Sequence, residues 1–263
     1  MEAQIPVPSS SSGLRTKSTN EARLPAKVIE RDWRLSLGNS FPIGIGGMVL
    51  ALSPLSNIFL GWRGTGGLGS AAVGSYYFLG GLLMITASLF EWVRGQSFPS
   101  IVFATYGGFW LTYASTLTPF YNAAIAYQPQ NPDTAATNPE FAASLGFFFL
   151  YMGLLSFVYL ICAVKTNIVF VGFFAALIPT FCCLAAGLWA LAEHDNDSAV
   201  NLQKTAGGFA FVTALLGWYL FSAVLLIIVD FPFKIPLGDL SCVHWYPKSQ
   251  IFDEENSGDG SKD

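Results

Sequence analysis

Six long runs without a single Asp, Glu, Lys or Arg constrain this chain more than any other feature: Phe41 to Trp62, Ala71 to Phe90, Ser100 to Thr118, Phe141 to Val164, Ile168 to Ala192 and Thr205 to Val229. Each matches the length a helix needs to cross a hydrocarbon core roughly 30 Å thick. In hydrocarbon an unpaired backbone amide or carbonyl costs several kcal/mol, so each run must close its own hydrogen bonds as a helix. A soluble protein can bury one or two such helices, but not six in series. The composition agrees, at 52% hydrophobic and 11% charged residues with a mean hydropathy of +0.49, outside the range of ordinary soluble domains. The expected fold is all-α, a polytopic membrane protein with six transmembrane helices.

Basic residues orient it. Lys and Arg near span ends favour the cytoplasmic side, and an even span count puts both termini on one side. Arg15, Lys17, Arg23, Lys27, Arg31 and Arg34 precede the first span. Arg94 and Lys165 lie in the second and fourth connections, and Lys234, Lys248 and Lys262 follow the last span. Only Arg63 and Lys204 fall on the opposite side, so both termini are expected in the cytoplasm and the plasma membrane is the expected location. The third connection, Pro119 to Pro139, has no Lys or Arg and contains the turn-forming run Gln128-Pro129-Gln130-Asn131-Pro132, as an external loop would. Asn196-Asp197-Ser198 is a glycosylation triplet in another external connection.

Three parts follow: a cytoplasmic tail over residues 1–37, a membrane domain over 38–232 and an acidic cytoplasmic tail over 233–263. Residues 1 to about 25 carry little apolar content, and no apolar run follows Met1 as in a signal peptide. The segment Val28 to Leu37 mixes Arg31 and Arg34 with Ile29, Trp33 and Leu35, a pattern suited to the inner membrane surface.

Within the spans, glycines cluster at 44, 46 and 47, at 80 and 81, at 107 and 108, and at 207 and 208, where small residues let backbones approach closely. Pro54 and Pro179 predict kinks. Glu91, near the cytoplasmic end of the second span, is the one carboxylate close to membrane depth, and Arg94 lies on the same helical face at i+3. Two roles are open to that pair, a structural ion pair or a proton relay. Thr105, Thr112 and Ser115 place hydroxyls along the third span for a small carboxylate, or for bonds back to their own helix. No cation lies deep in any span, so an anion crossing here would rely on hydroxyls, amides and helix N-termini. Cys162, Cys182, Cys183 and Cys242 have no metal-ligand spacing, and His194 and His244 both lie outside the spans. No nucleophile, base and orienter set occurs at membrane depth, so an enzyme is disfavoured, and no catalytic residue, metal, cofactor or nucleic-acid partner is expected.

The segment Asn39-Ser40-Phe41-Pro42-Ile43-Gly44-Ile45 resembles the N-P-A-P-L-G-L signature of the acetate uptake transporter family, which includes bacterial succinate-acetate permeases and fungal acetate and ammonium-export proteins. Gly80-Gly81, Glu91, Gly95-Gln96-Ser97-Phe98 and Tyr106-Gly107-Gly108-Phe109-Trp110 resemble the family's G-G, E, G-N-x-F and Y-G-x-F-W series in order and spacing. Ile235-Pro236-Leu237-Gly238 is similar to its closing L-P-x-G, so the likeness runs from residue 39 to about 239. It implies a six-helix protomer in a ring-shaped homohexamer, with acetate and related short monocarboxylates, together with a proton, crossing each protomer. It also implies an apolar constriction at Met48, Tyr106 and Leu177. On this reading Tyr106 is the gate, Asn39 and the first-span N-terminus attract the anion, and the hydroxyls of Thr105 and Thr112 are candidates to meet it. Ser40 and Phe41 replace the signature's first Pro and its Ala, Met48 replaces an aromatic residue, and Met84 replaces a Gln that commonly follows the G-G pair. Ammonium or ammonia export and a non-transporting sensor are the alternative functions.

Overall fold

Each charge-free run is helical in the computed structural model of the chain, which describes residues 38–127 and 138–240. The long helices are α1 (Phe41–Leu60), α2 (Gly67–Val93), α3 (Ser97–Leu117), α4 (Pro139–Ala163), α5 (Ile168–Ala192) and α6 (Asn196–Ile228). Five of them are long and apolar enough to cross a membrane. The exception is α3, which has 21 residues and no charge but dilutes its apolar content with Ser97, Ser100, Thr105, Thr112, Ser115 and Thr116. Both tails' distal parts, residues 1–37 and 241–263, lie outside the described residues, as do the segment Val28 to Leu37, Gln128 to Pro132, Cys242 and His244.

Helix ends follow local chemistry. Asn138 and Asn167 cap α4 and α5, their Oδ1 atoms accepting from Glu140 N at 2.9 Å and Phe170 N at 2.9 Å. Pro42 and Pro139 occupy first-turn positions, where a missing N–H costs nothing. The start of α6 departs from the sequence reading: it begins at Asn196, well before the apolar run at Thr205. Asp195 caps it, accepting from Ser198 N at 3.1 Å, and the Ser198 hydroxyl and amide hold that carboxyl below its ordinary range. A polar, capped extension of this kind is helical for reasons that hydropathy does not register.

Helix α2 is not uniform. It opens with a tight turn over Gly67–Ala72, passes through Val73–Ser75, widens to a π-helix over Tyr76–Leu83, and returns to α over Met84–Val93. The wide segment carries Gly80 and Gly81. A Cβ at Gly80 would sit 2.5 Å from Trp110 Cγ, so the glycine is what lets α2 and α3 close on that indole. Nearer the other end, Ser88 donates to the Ser100 carbonyl at 2.8 Å and Ser100 returns a bond to the Ser88 carbonyl at 3.0 Å.

Backbones pack side by side in the order α3, α2, α1, α6, α5, α4. Side chains bridge the remaining seam between α3 and the α4–α5 pair: Tyr106 reaches Ser156, Thr105 reaches Tyr159, and Phe109 stacks on Phe148 with ring centres 5.9 Å apart. Pro54 and Pro179 lie inside continuous α1 and α5. Beyond α6, the closing motif folds back onto the α4–α5 turn. Ile168 N donates to the Gly238 carbonyl at 2.9 Å, Leu240 N to the Thr166 carbonyl at 3.0 Å, and Tyr219 to the Pro236 carbonyl at 2.7 Å. Gly238 has φ of 64° and lies against Ile168, so both conformation and space demand glycine there.

Removing the Asn167 cap in Asn167→Ala should cost about 1 kcal/mol. Thermal unfolding of the detergent-solubilised protein should shift down by about 2–4 °C.

Candidate functional site

At one end of the bundle, the first turn of α1 is clasped to the last turn of α2. Asn39 Oδ1 accepts from Phe41 N at 3.1 Å, which fixes the approach to the helix. Ser40 Oγ donates to Glu91 Oε1 at 2.6 Å, and Arg94 Nη1 donates to the same oxygen at 2.8 Å and to Asn39 Oδ1 at 3.1 Å. Glu91 is only 1% exposed, so its charge is held by a cation and a hydroxyl in place of water. Charge-assisted hydrogen bonds are the strong ones, and two converge on one oxygen here. Ser40 stands where the family signature has Pro, a residue with no donor to give.

Above the clasp the interior is aromatic. Phe41 packs on Phe103 and Phe170 with ring centres 5.4 and 5.9 Å apart. Phe174 continues the column to Tyr106, centres 6.4 Å apart. Met48, Tyr106 and Leu177, all buried, then meet around a cavity of about 20 Å3 that they line with Leu52, Phe109 and Trp110 among others. That volume admits about one water molecule. A carboxylate with its methyl group does not fit, so this conformation is closed at that level. Tyr106 is held across the seam: Ser156 spends its only proton on the Met152 carbonyl at 2.8 Å, so the Tyr106 hydroxyl donates to Ser156 at 2.8 Å.

Beyond the constriction the bundle opens into a cavity of about 560 Å3. Its wall is mostly apolar; Ser70, Thr116, Thr118, Asn122, Asn196 and Gln203 add hydroxyls and amides, and among the described residues no charged side chain lines it. Phe59 and Leu184 border both cavities, so the two are neighbours in the bundle.

The structure therefore gathers the residues named from sequence into two groups. Asn39, Glu91 and Arg94 form the clasp; Met48, Tyr106 and Leu177 meet at the small cavity. The hydroxyls of the third span are not gathered with them. Thr105 bonds back to Ile101 and Val102 and reaches Tyr159 at 3.0 Å, and Thr112 is exposed on the outer surface and bonds back to Gly108 at 2.9 Å. Sequence reasoning missed Ser40 as a partner of Glu91 and Ser156 as the holder of Tyr106. A buried carboxylate's need for donors was the available signal for Ser40; Ser156 left none.

A family model described as the GPR1/FUN34/yaaH family matches residues 25–241. The chain belongs to this family. The resemblance drawn from the signature, the Y-G-x-F-W series and the closing motif is thereby borne out over the whole membrane domain. Protein alcS of Aspergillus fumigatus is 40% identical over 207 residues, covering 78% of this chain and 76% of that protein. The acetate transporter protein patA of Aspergillus clavatus is 31% identical over 205 residues, covering 78% and 79%. Among solved structures, the bacterial acetate channel SatP shares the fold with a TM-score of 0.61 at 22% identity, covering 77% of this chain and 99% of the channel.

Disrupting the clasp should be graded. Ser40→Ala removes one hydrogen bond to a charged group, about 1.5–3 kcal/mol, whereas Arg94→Ala strands a buried carboxylate at about 3–5 kcal/mol. Denaturant unfolding in micelles should rank them in that order, and the double variant should fall short of the sum because both act on Glu91 Oε1.

Proposed function

We propose that this protein carries acetate and related short-chain monocarboxylates across the plasma membrane together with a proton, each protomer of a homohexamer providing its own path. The observation that carries this reading is the succession of a mostly apolar vestibule carrying some hydroxyls and amides, an uncharged constriction at Met48, Tyr106 and Leu177, and a buried clasp at Asn39, Ser40, Glu91 and Arg94. Relatives named as an acetate transporter and an acetate channel support the substrate class.

With both termini cytoplasmic, as the basic residues indicate, the vestibule faces outward. Its polar groups meet an anion without a lysine or arginine that would hold it too tightly to release. At the constriction a charge would lose most of its solvation, which is costly, while the neutral acid loses little. Proton and carboxylate therefore cross that level most cheaply as one neutral species. Tyr106 acts as the gate, and leaving its bond to Ser156 is the step that widens the path. Glu91 and Arg94 hold the inner ends of α1 and α2 together, and the opposed possibility of a proton relay would act through the same carboxylate. An uncharged constriction equally suits neutral ammonia, which keeps ammonia export as the second reading.

Reconstituted protein should accumulate radiolabelled acetate when the outside is made acid. Tyr106→Ala enlarges the constriction, and since each methylene at a fitted apolar wall changes discrimination by on the order of tenfold, it should raise uptake of propionate and butyrate relative to acetate by about that factor. Uptake and selectivity both unchanged in Tyr106→Ala at equal surface expression would remove Tyr106 from the path. Silence of the wild type toward acetate, propionate and formate would transfer the reading to ammonia export or sensing.

A further inference from the structure

Helix pairs in this bundle are held in two different ways. Where backbones pack side by side, glycines sit at the contact. A Cβ at Gly107 of α3 would meet Ile85 of α2 at 2.8 Å, one at Gly146 of α4 would meet Trp189 of α5 at 2.5 Å, and one at Gly153 of α4 would lie 3.5 Å from Phe181 and Cys182 of α5. Helix α3 is thus fitted to α2, and α4 to α5. Between α3 and α4 there is no such fit: none of their four glycines faces the other helix, and a Cβ at Gly108 would meet nothing within 4 Å. Side chains bridge that seam.

At the level of the constriction the bridge is a reciprocal pair of hydrogen bonds. Ser156 of α4 spends its proton on the Met152 carbonyl and accepts from Tyr106 of α3 at 2.8 Å. Thr105 of α3 spends its proton within its own helix, 3.0 Å from the Ile101 carbonyl and 3.1 Å from that of Val102. In its 3.0 Å contact with Tyr159 of α4 the phenol is therefore the donor. Each helix offers the other one phenol and one back-bonded hydroxyl. The Tyr159 ring is buried, its centre 6.0 Å from that of Tyr106 and 5.7 Å from that of Phe174.

In lipid no water is released when helices meet, so a seam without close backbone approach rests on its hydrogen bonds and ring contacts. Two neutral hydrogen bonds are a modest hold, and they sit on consecutive residues of α3. The alternative, a swing of Tyr106 alone, has little room: its ring is flanked by Tyr159 and Phe174, and the adjoining cavity is only about 20 Å3. Moving α4 with α5 away from α3 needs no new room for any side chain. It carries Ser156, Tyr159, Phe174 and Leu177 off together, and the constriction widens.

We propose that the protein opens by parting along the α3–α4 seam, and that Tyr159 is a positioning residue for the gate: it holds the closed form through Thr105 and releases together with the bond between Tyr106 and Ser156. This deepens the transport reading and rests on it. It also gives Thr105 a task other than meeting substrate, since its hydroxyl is the acceptor that keeps Tyr159 in place.

Thr105→Cys and Tyr159→Cys, in a full chain whose Cys162, Cys182, Cys183 and Cys242 are replaced by alanine, place a thiol on each side of the seam for a short bifunctional methanethiosulfonate. In proteoliposomes this tether should abolish acetate uptake, and thiol reduction should restore it. A disulfide between Gly153→Cys and a retained Cys182, inside the α4–α5 pair, should leave uptake in place. Uptake that persists under the seam tether overturns the parting. Tyr159→Phe keeps the ring and deletes the donor. Loss of one bond from the closed form should raise the maximal uptake rate by about fivefold, and adding Ser156→Ala should multiply that gain. A merely structural residue would lower uptake and melting temperature together, so an unchanged or lower rate in Tyr159→Phe removes Tyr159 from the gate. If the 105–159 cysteine pair does not fold, the Tyr159→Phe rate decides. Should the wild type take up no acetate, the transport reading falls on its own, and nitroxide labels on the same two cysteines decide the seam. A second, longer distance that grows with Ser156→Ala supports the parting, and a single short one overturns it.

Discussion

Hydrocarbon offers no hydrogen bonds, and that constraint orders nearly everything in this protein. It makes each span a helix, turns most hydroxyls on α3 back onto their own carbonyls, and gives the buried carboxylate of Glu91 a guanidinium and a hydroxyl in place of water. Helix association cannot then rely on excluding water and instead follows close approach, as where Gly80 receives the Trp110 ring.

The departures from the family signature make sense together. Ser40 supplies a donor that Pro could not, and Phe41 fills space beside Phe103 and Phe170 that Ala would leave open. One change ties α1 to α2, and the other thickens the aromatic column over the clasp. Both residues thus add contacts at the first turn of α1.

Much of the architecture was legible in the sequence because the information was one-dimensional. A charge-free run of about 20 residues has few alternatives in lipid, and Glu91 with Arg94 at i+3 lie on one helical face by arithmetic alone. The early start of α6 escaped because a capped polar extension looks like a loop to hydropathy. Helix α3 read as a span from its lack of charge, yet its hydroxyls make it the least apolar of the six. For the site, Met48, Tyr106 and Leu177 converge across α1, α3 and α5, separated by more than a hundred residues of chain; family likeness named them, and periodicity could not. Thr112 shows the opposite case, a plausible ligand by residue type that helical phase turns outward. Ser156, the partner of Tyr106, is visible only once the helices are side by side.

The vestibule has an electrical consequence. A cavity of about 560 Å3 whose mostly apolar wall also carries hydroxyls and amides would, once filled with water, belong to the solution on its side of the membrane as far as conduction is concerned. The insulating part of the protein would then shrink to the stretch between Tyr113 and Glu91, and the membrane voltage would fall across that stretch and not across the full bilayer. A charged passenger would feel the whole potential within a few helical turns, at about 2.3 kcal/mol per charge per 100 mV. A neutral acid would feel none of it.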